Sequence, residues 1–293
     1  MTKKRHLAVG VAVAMMLCGG TVLAWYRYQW RAIWEQTAYR SPYAVAAHDD
    51  DTLRVLMIGD SWAQMHQENG CDTMLSRMIH EQTGVPVKVA SKGRGGAVSK
   101  AVYHLMYGET AAADSACCME QMLKGGADYC IVIAGINDAV ANLGPAFYVR
   151  HYDLILRTLQ AWNMRPVVIE VPDVGIYDMY SRKDWKDLAL DRLRAWMTGA
   201  AMYDVGLYRL ALRDRLLPAG DSIVYVPHEQ WDGERGRDRS RLYLSDQIHL
   251  NHDGYHALDS CIAVCIARDY LSDTDSLKKS MGGQSQQGAA DNE

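Results

Sequence analysis

A single phenylalanine stands in this chain against seventeen tyrosines and eight tryptophans. Large rings with a polar handle are abundant and purely apolar ones nearly missing, a bias that suits contact with carbohydrate, although several rings fall at the helical spacing of a core. The chain has no stripe of basic residues, and its formal net charge is only -4, which excludes a nucleic-acid partner. No segment recurs at a fixed period, so repeat architectures are excluded as well. Around Cys117-Cys118 and Cys261-x-x-x-Cys265 there is no second Cys-x-x-Cys and no neighbouring His pair to complete a zinc site. Neither a metal nor a cofactor is indicated.

What is present begins with a targeting element. Lys3, Lys4 and Arg5 precede LAVGVAVAMMLCGGTVLA, an uncharged stretch covering residues 7–24. It reads as an uncleaved anchor, with Trp25, Tyr26, Tyr28 and Trp30 as an interfacial belt. The alternative is a cleaved signal peptide ending at Val22-Leu23-Ala24. Either way residues 1–24 are the signal element and the rest is expected to be exported, to a bacterial-type periplasm or envelope, held at the inner membrane if uncleaved. The bulky Met16 and Leu17 argue against Cys18 as a lipid-carrying cysteine. Setting Cys18 aside leaves Cys71, Cys117, Cys118, Cys130, Cys261 and Cys265, an even set that permits disulfides without proving any. Cys130 lies in an apolar run and reads as core.

Residues 25–52 read as a linker whose His48-Asp49-Asp50-Asp51 is a solvated charge run rather than a cation site. Residues 272–293 are rich in Ser, Gly, Gln and Asp and read as a disordered tail. Between them, residues 53–271 alternate apolar runs with amphipathic stretches, and the chain is 49% apolar, enough for a large core. LRVLMIG (53–59), VPVKVAS (85–91), YCIVIAG (129–135), PVVIEVP (166–172) and SIVYVP (222–227) are continuous runs bounded by Gly or Pro. Such runs suit strands buried on both faces of a parallel sheet. Helices are expected at 73–82, 147–162, 183–198 and 254–271.

In a parallel sheet of this kind ligands bind beyond the carboxyl ends of the strands. Three of those ends carry Gly59-Asp60-Ser61, the SKGRGG loop around Gly93, and Gly135-Ile136-Asn137-Asp138. A serine hydroxyl is a weak nucleophile until a base takes its proton and donors hold the oxyanion that forms. Ser61 supplies the hydroxyl, Gly93 a close backbone approach, Asn137 an amide donor, and His249 a base with Asp246 three residues earlier.

These four blocks, in this order and spacing, resemble the SGNH (GDSL-type) serine hydrolases over residues 53–271. The resemblance implies an α/β fold, a three-layer α/β/α sandwich of flavodoxin-like type with a five-stranded, mainly parallel sheet. It implies Ser61 as nucleophile, His249 as general base and acid, and Asp246 as the residue that holds its tautomer. The oxyanion hole would be the Ser61 and Gly93 N–H groups with the Asn137 side chain. Asp60 and Asp138 would brace turns. The second block departs from the family pattern, with Ser91 where Asn is often found.

Around that core several readings stay open. Trp62 stands where the family often has Leu, and either stacks on a sugar or packs the start of a helix. His66 is expected to be an exposed histidine near a helix start. PHEQWDGERGRDRSRLY (227–243), with Trp231 and its balanced charges, is either a lid or a solvated loop. The expected function is an exported serine esterase that removes acyl groups, acetyl first, from a carbohydrate or other envelope substrate. An acyltransferase with the same site, a lipid or thioester hydrolase, and a catalytically silent glycan-binding module are the alternatives.

Overall fold

The computed structural model describes residues 2–29, 35–109, 119–172, 174, 181, 183–199, 202, 204–232 and 241–290. Cys117, Cys118 and most of the charged stretch after Trp231 lie outside the described residues. The chain forms two compact units, Met1–Tyr39 and Arg40–Glu293. The first holds helix α1 (Thr2–Gln29), of which Ala8–Tyr28 is 21 residues long and apolar enough to cross a membrane.

The second unit is built on five parallel strands: β1 (Leu53–Gly59), β2 (Val87–Gly93), β3 (Tyr129–Ile133), β4 (Arg165–Ile169) and β5 (Val224–Val226), in the order β2-β1-β3-β4-β5. Every pairing is parallel, so the sheet is wholly rather than mainly so. The central strands are covered on both faces, which is why β3 is buried at every position and β1 reads as an unbroken apolar run. The edge strand β2 is only partly covered and tolerates Lys88 and Lys92.

The connections are helical. After β1 come α2 (Ser61–Glu68) and α3 (Cys71–Thr83); after β2, α4 (Ser99–Leu105) and α5 (Met119–Lys124); after β3, α6 (Ile136–Val140) and α7 (Pro145–Ala161). After β4 come α8 (Trp185–Thr198) and α9 (Val205–Leu216), and α10 (His252–Ala290) ends the fold. α3 packs against α10 in one layer, while α4 and α9 pack against α7 in the other. Because the chain leaves β1 for β2 on one side and returns to β3 on the other, the strand order reverses at β1, and a crevice opens at its carboxyl end.

Three expectations change. Residues 40–52 are laid along the domain instead of hanging as a linker, because Tyr43 packs its ring 4.5 Å from Trp162 and 5.8 Å from Tyr107 and donates its hydroxyl to the Met106 carbonyl at 2.8 Å. The stretch from Ser272 is not separated from the fold as a tail: α10 runs through it to Ala290, since extending a helix already nucleated by packing needs no new nucleus. The surplus of tyrosine is largely a core property. Tyr148, Tyr152, Tyr208 and Tyr255 are all buried, and their hydroxyls donate to the carbonyls of Ala134, Val132, Asp138 and Trp62 at 2.9–3.2 Å. A phenylalanine at those positions would leave the carbonyls without that donor. Cys130 is buried in β3 as expected, and the described cysteines Cys18, Cys71, Cys130, Cys261 and Cys265 are free thiols.

Candidate active site

Ser61 is the first residue of α2, directly after the carboxyl end of β1. Asp60 makes the turn: its carboxylate accepts from the Trp62 N–H at 3.0 Å and so caps the helix, while its own N–H donates to Ile133 O at 3.1 Å. Burial raises the Asp60 carboxyl to about 7 against the pull of the Trp62 N–H.

Gly59 of β1 stands in register with Gly93 of β2, so the loop after β2 begins beside Ser61. A side chain at Gly93 would collide with the Asp60 carbonyl and the Gln64 nitrogen; only glycine lets this strand end approach the start of α2. Gln64 ties the same loop down by accepting from the Gly95 N–H at 2.8 Å.

On the other side of β1, Gly135 takes φ 128° where its missing side chain leaves room for Val171 and Tyr148, and the turn into α6 follows. Asn137 points back to the site, its Nδ2 donating to Asp60 Oδ2 at 3.3 Å and to Ala97 O at 3.0 Å. Asp138 is buried and accepts from the Ser99 N–H at 2.8 Å and the Ser99 hydroxyl at 2.6 Å. Burial lifts its carboxyl to about 7 despite those bonds.

The fourth block arrives from the far end of the chain. Tyr243 and Leu250 pair across a tight loop in which Gln247 adopts φ 62°, a left-handed conformation that folds Asp246 back on the residues after it. Asp246 Oδ1 accepts from the N–H groups of Ile248 and His249, both at 2.9 Å, and Oδ2 faces His249 Nδ1 at 2.6 Å. Burial raises the Asp246 carboxyl, but the His249 ring and the two backbone donors outweigh it and hold the group below its usual range. His249 Nε2 meets Ser61 Oγ at 2.9 Å, so one line of hydrogen bonds joins carboxylate, imidazole and hydroxyl.

Trp62 is buried and is no sugar platform: it donates from Nε1 to Ile248 O at 3.1 Å and meets Trp231 edge to face, with centroids 5.9 Å apart. Trp231 is buried with it, so this part of the 227–243 segment is packed core rather than a free lid. His66 is also buried, against the expectation of an exposed residue, because Asp72 and Asp259 face its two ring nitrogens. Those partners lie 6 and 193 residues away, and no local pattern announces them.

Glu170, His228 and Glu229 bring ligand atoms within 4.8 Å of one another, the spacing of a metal site. Arg213 already supplies the positive charge there, bonding both Glu170 oxygens at 2.6 and 2.9 Å and Glu229 at 3.1 Å. The cluster is a hydrogen-bonded network around Arg213 that ties α9 to the ends of β4 and β5.

A sequence model of the GDSL-like lipase/acylhydrolase family matches residues 57–257. Comparison with curated proteins finds no match. Among solved structures, the chain is similar to a lipase/acylhydrolase from Enterococcus faecalis, with 13% identity, 73% of this chain and 95% of that one covered, and a TM-score of 0.49. It is likewise similar to a GDSL-like lipase from Bacteroides thetaiotaomicron, with 13% identity, 73% and 88% covered, and a TM-score of 0.44. Neither likeness bears on substrate. The family match, spanning all four blocks, does bear on the reaction class: the chain belongs to the GDSL-like lipase/acylhydrolase family and is a serine ester hydrolase.

Proposed function

We propose that this enzyme is an exported esterase that removes acyl groups, acetyl first, from a carbohydrate or other envelope substrate through an acyl-Ser61 intermediate. The observation that carries the reading is the unbroken line Asp246 Oδ2, His249 Nδ1, His249 Nε2, Ser61 Oγ, with links of 2.6 and 2.9 Å. A ring that donates from Nδ1 to Asp246 keeps Nε2 as the acceptor for the Ser61 proton.

In the first half-reaction Ser61 Oγ attacks the ester carbonyl as His249 takes its proton. The tetrahedral intermediate collapses, the C–O bond to the alcohol breaks, and His249 returns the proton to the leaving oxygen. In the second half water attacks the acyl-enzyme, again with His249 as base. The oxyanion is held by the N–H of Ser61 at the start of α2 and that of Gly93. Asn137 joins them by exchanging its bond to Asp60 or Ala97 for one to the oxyanion. Asp60 and Asp138 brace the turns. The apolar segment Ala8–Tyr28 supports export, with the domain retained at the inner membrane if the segment is uncleaved.

The test is incubation of the full chain with acetylated glycans, with and without an unacetylated acceptor sugar. Free acetate that disappears in Ser61→Ala supports the reading. Acetylated acceptor in place of acetate would make the enzyme an acyltransferase, and no Ser61-dependent change in either product would overturn acetyl-glycan as substrate.

A further inference from the structure

Ser61 opens α2, and His66 sits in its last turn. The His66 ring is fully buried, and both nitrogens are engaged. Nε2 faces the two oxygens of Asp259, both at 3.1 Å, and Nδ1 faces Asp72 Oδ1 at 2.9 Å and Ser91 Oγ at 3.0 Å. Ser91 closes the network, its hydroxyl donating to Asp72 Oδ1 and its N–H to Asp72 Oδ2 at 3.2 Å. A ring with a carboxylate at each nitrogen donates from both and is an imidazolium. Burial by itself would lower its pKa, but Asp259 and Asp72 push it up to about 9.

Each partner belongs to a chain segment that builds the site. Asp259 lies on α10, which begins at His252 directly after the His249 loop. Ser91 lies on β2, which ends at Gly93. Asp72 opens α3, the helix that follows α2. Nucleophile and base are 188 residues apart in the chain, so their 2.9 Å contact depends on how α2 is seated against α10 and the loop before it. Near Ser61 that seating is braced by Trp62, whose Nε1 reaches Ile248 O at 3.1 Å and whose carbonyl accepts from Tyr255 at 2.9 Å. Toward the other end of α2 it is braced by the bonds of the His66 ring, which fix direction as well as distance.

We propose that His66 is a positioning residue for the reaction at Ser61: by bonding at once to Asp259, Asp72 and Ser91, it holds the segments carrying nucleophile, base and Gly93 in one register. The proposal rests on the reading of Ser61 as nucleophile. A displacement of about 1 Å in such a constellation costs on the order of 100-fold in rate, so partial loss of the register is expected to show in kcat.

The experiment compares the full chain in detergent as wild type, Ser61→Ala, His66→Gln and Ser91→Ala. It measures kcat and KM on an aryl acetate, with circular dichroism and Tm to verify folding at the assay temperature. His66→Gln is expected to lose about tenfold or more in kcat with KM nearly unchanged, a split that simple loss of stability in a folded sample does not produce. Ser91→Ala keeps the ring and both carboxylates and is expected to lose about threefold in kcat. Wild-type kcat in folded His66→Gln overturns the proposal; should that variant fail to fold, wild-type kcat in Ser91→Ala does so. A Ser61→Ala variant that still turns over sinks the nucleophile reading and this proposal with it. A dead Ser61→Ala beside fully active His66 and Ser91 variants sinks this proposal alone.

Discussion

The pair His249–Asp246 and the pair His66–Asp259 are built from the same two residue types in opposite surroundings. At the first, the side chains are 30% and 40% exposed, and the ring has a carboxylate on one nitrogen and a hydroxyl on the other. At the second, both side chains are fully buried, and the ring has a carboxylate on each nitrogen. When the second ring becomes neutral it keeps one donated bond and loses the charge-assisted bond on its other nitrogen, which costs stability. The two His–Asp contacts therefore differ in what faces the second nitrogen: a hydroxyl at His249 and a carboxylate at His66.

The largest effect expected from breaking this contrast is at the exposed pair. His249→Ala, like Ser61→Ala, should cost about 10⁴-fold or more in kcat on an aryl acetate while Tm stays close to wild type. Asp246→Asn should cost about 10⁴-fold too, because it admits the wrong tautomer of the ring. Next comes the oxyanion side, where Asn137→Ala should cost about 100-fold in kcat, read by the same assay.

The buried pair should respond in stability. A histidine whose folded pKa of about 9 lies above its ordinary 6.5 contributes stability that is complete below 6.5 and lost as pH rises through 9. Asp60 and Asp138, raised to about 7, have lost their contribution by then. In urea unfolding the stability of wild type relative to His66→Gln should therefore shrink by about 2 kcal/mol from about pH 7.5 to about pH 9.5, a difference from which the other titrating groups cancel. The smallest effect is expected at Tyr148→Phe, which removes one hydrogen bond to Ala134 O and should cost about 1 kcal/mol in urea unfolding.

The contrast also marks what could be read from the sequence. β1 lies where its apolar run lies, and β2 to β5 begin and end within a few residues of their runs, because strands buried on both faces are continuous in sequence. Asp246 and His249 were legible as a pair because one tight loop holds both. Asp72 and Asp259 were invisible as partners of His66, since burial of a histidine is decided by elements that meet only in three dimensions. The one available sign was Ser91, the departure in the second block, which turns out to bond the buried ring. Tyr43 and Trp231 show the same limit: an aromatic in a polar stretch reads as linker or lid until its partner ring, Trp162 or Trp62, is placed beside it.

The most direct test of the central claim is reaction of the full chain with a fluorophosphonate, followed by peptide mapping of the adduct by mass spectrometry. A single adduct on Ser61, formed by wild type and lost in His249→Ala, is the predicted result. An adduct on another residue, or no adduct on the folded wild-type enzyme, would contradict the account.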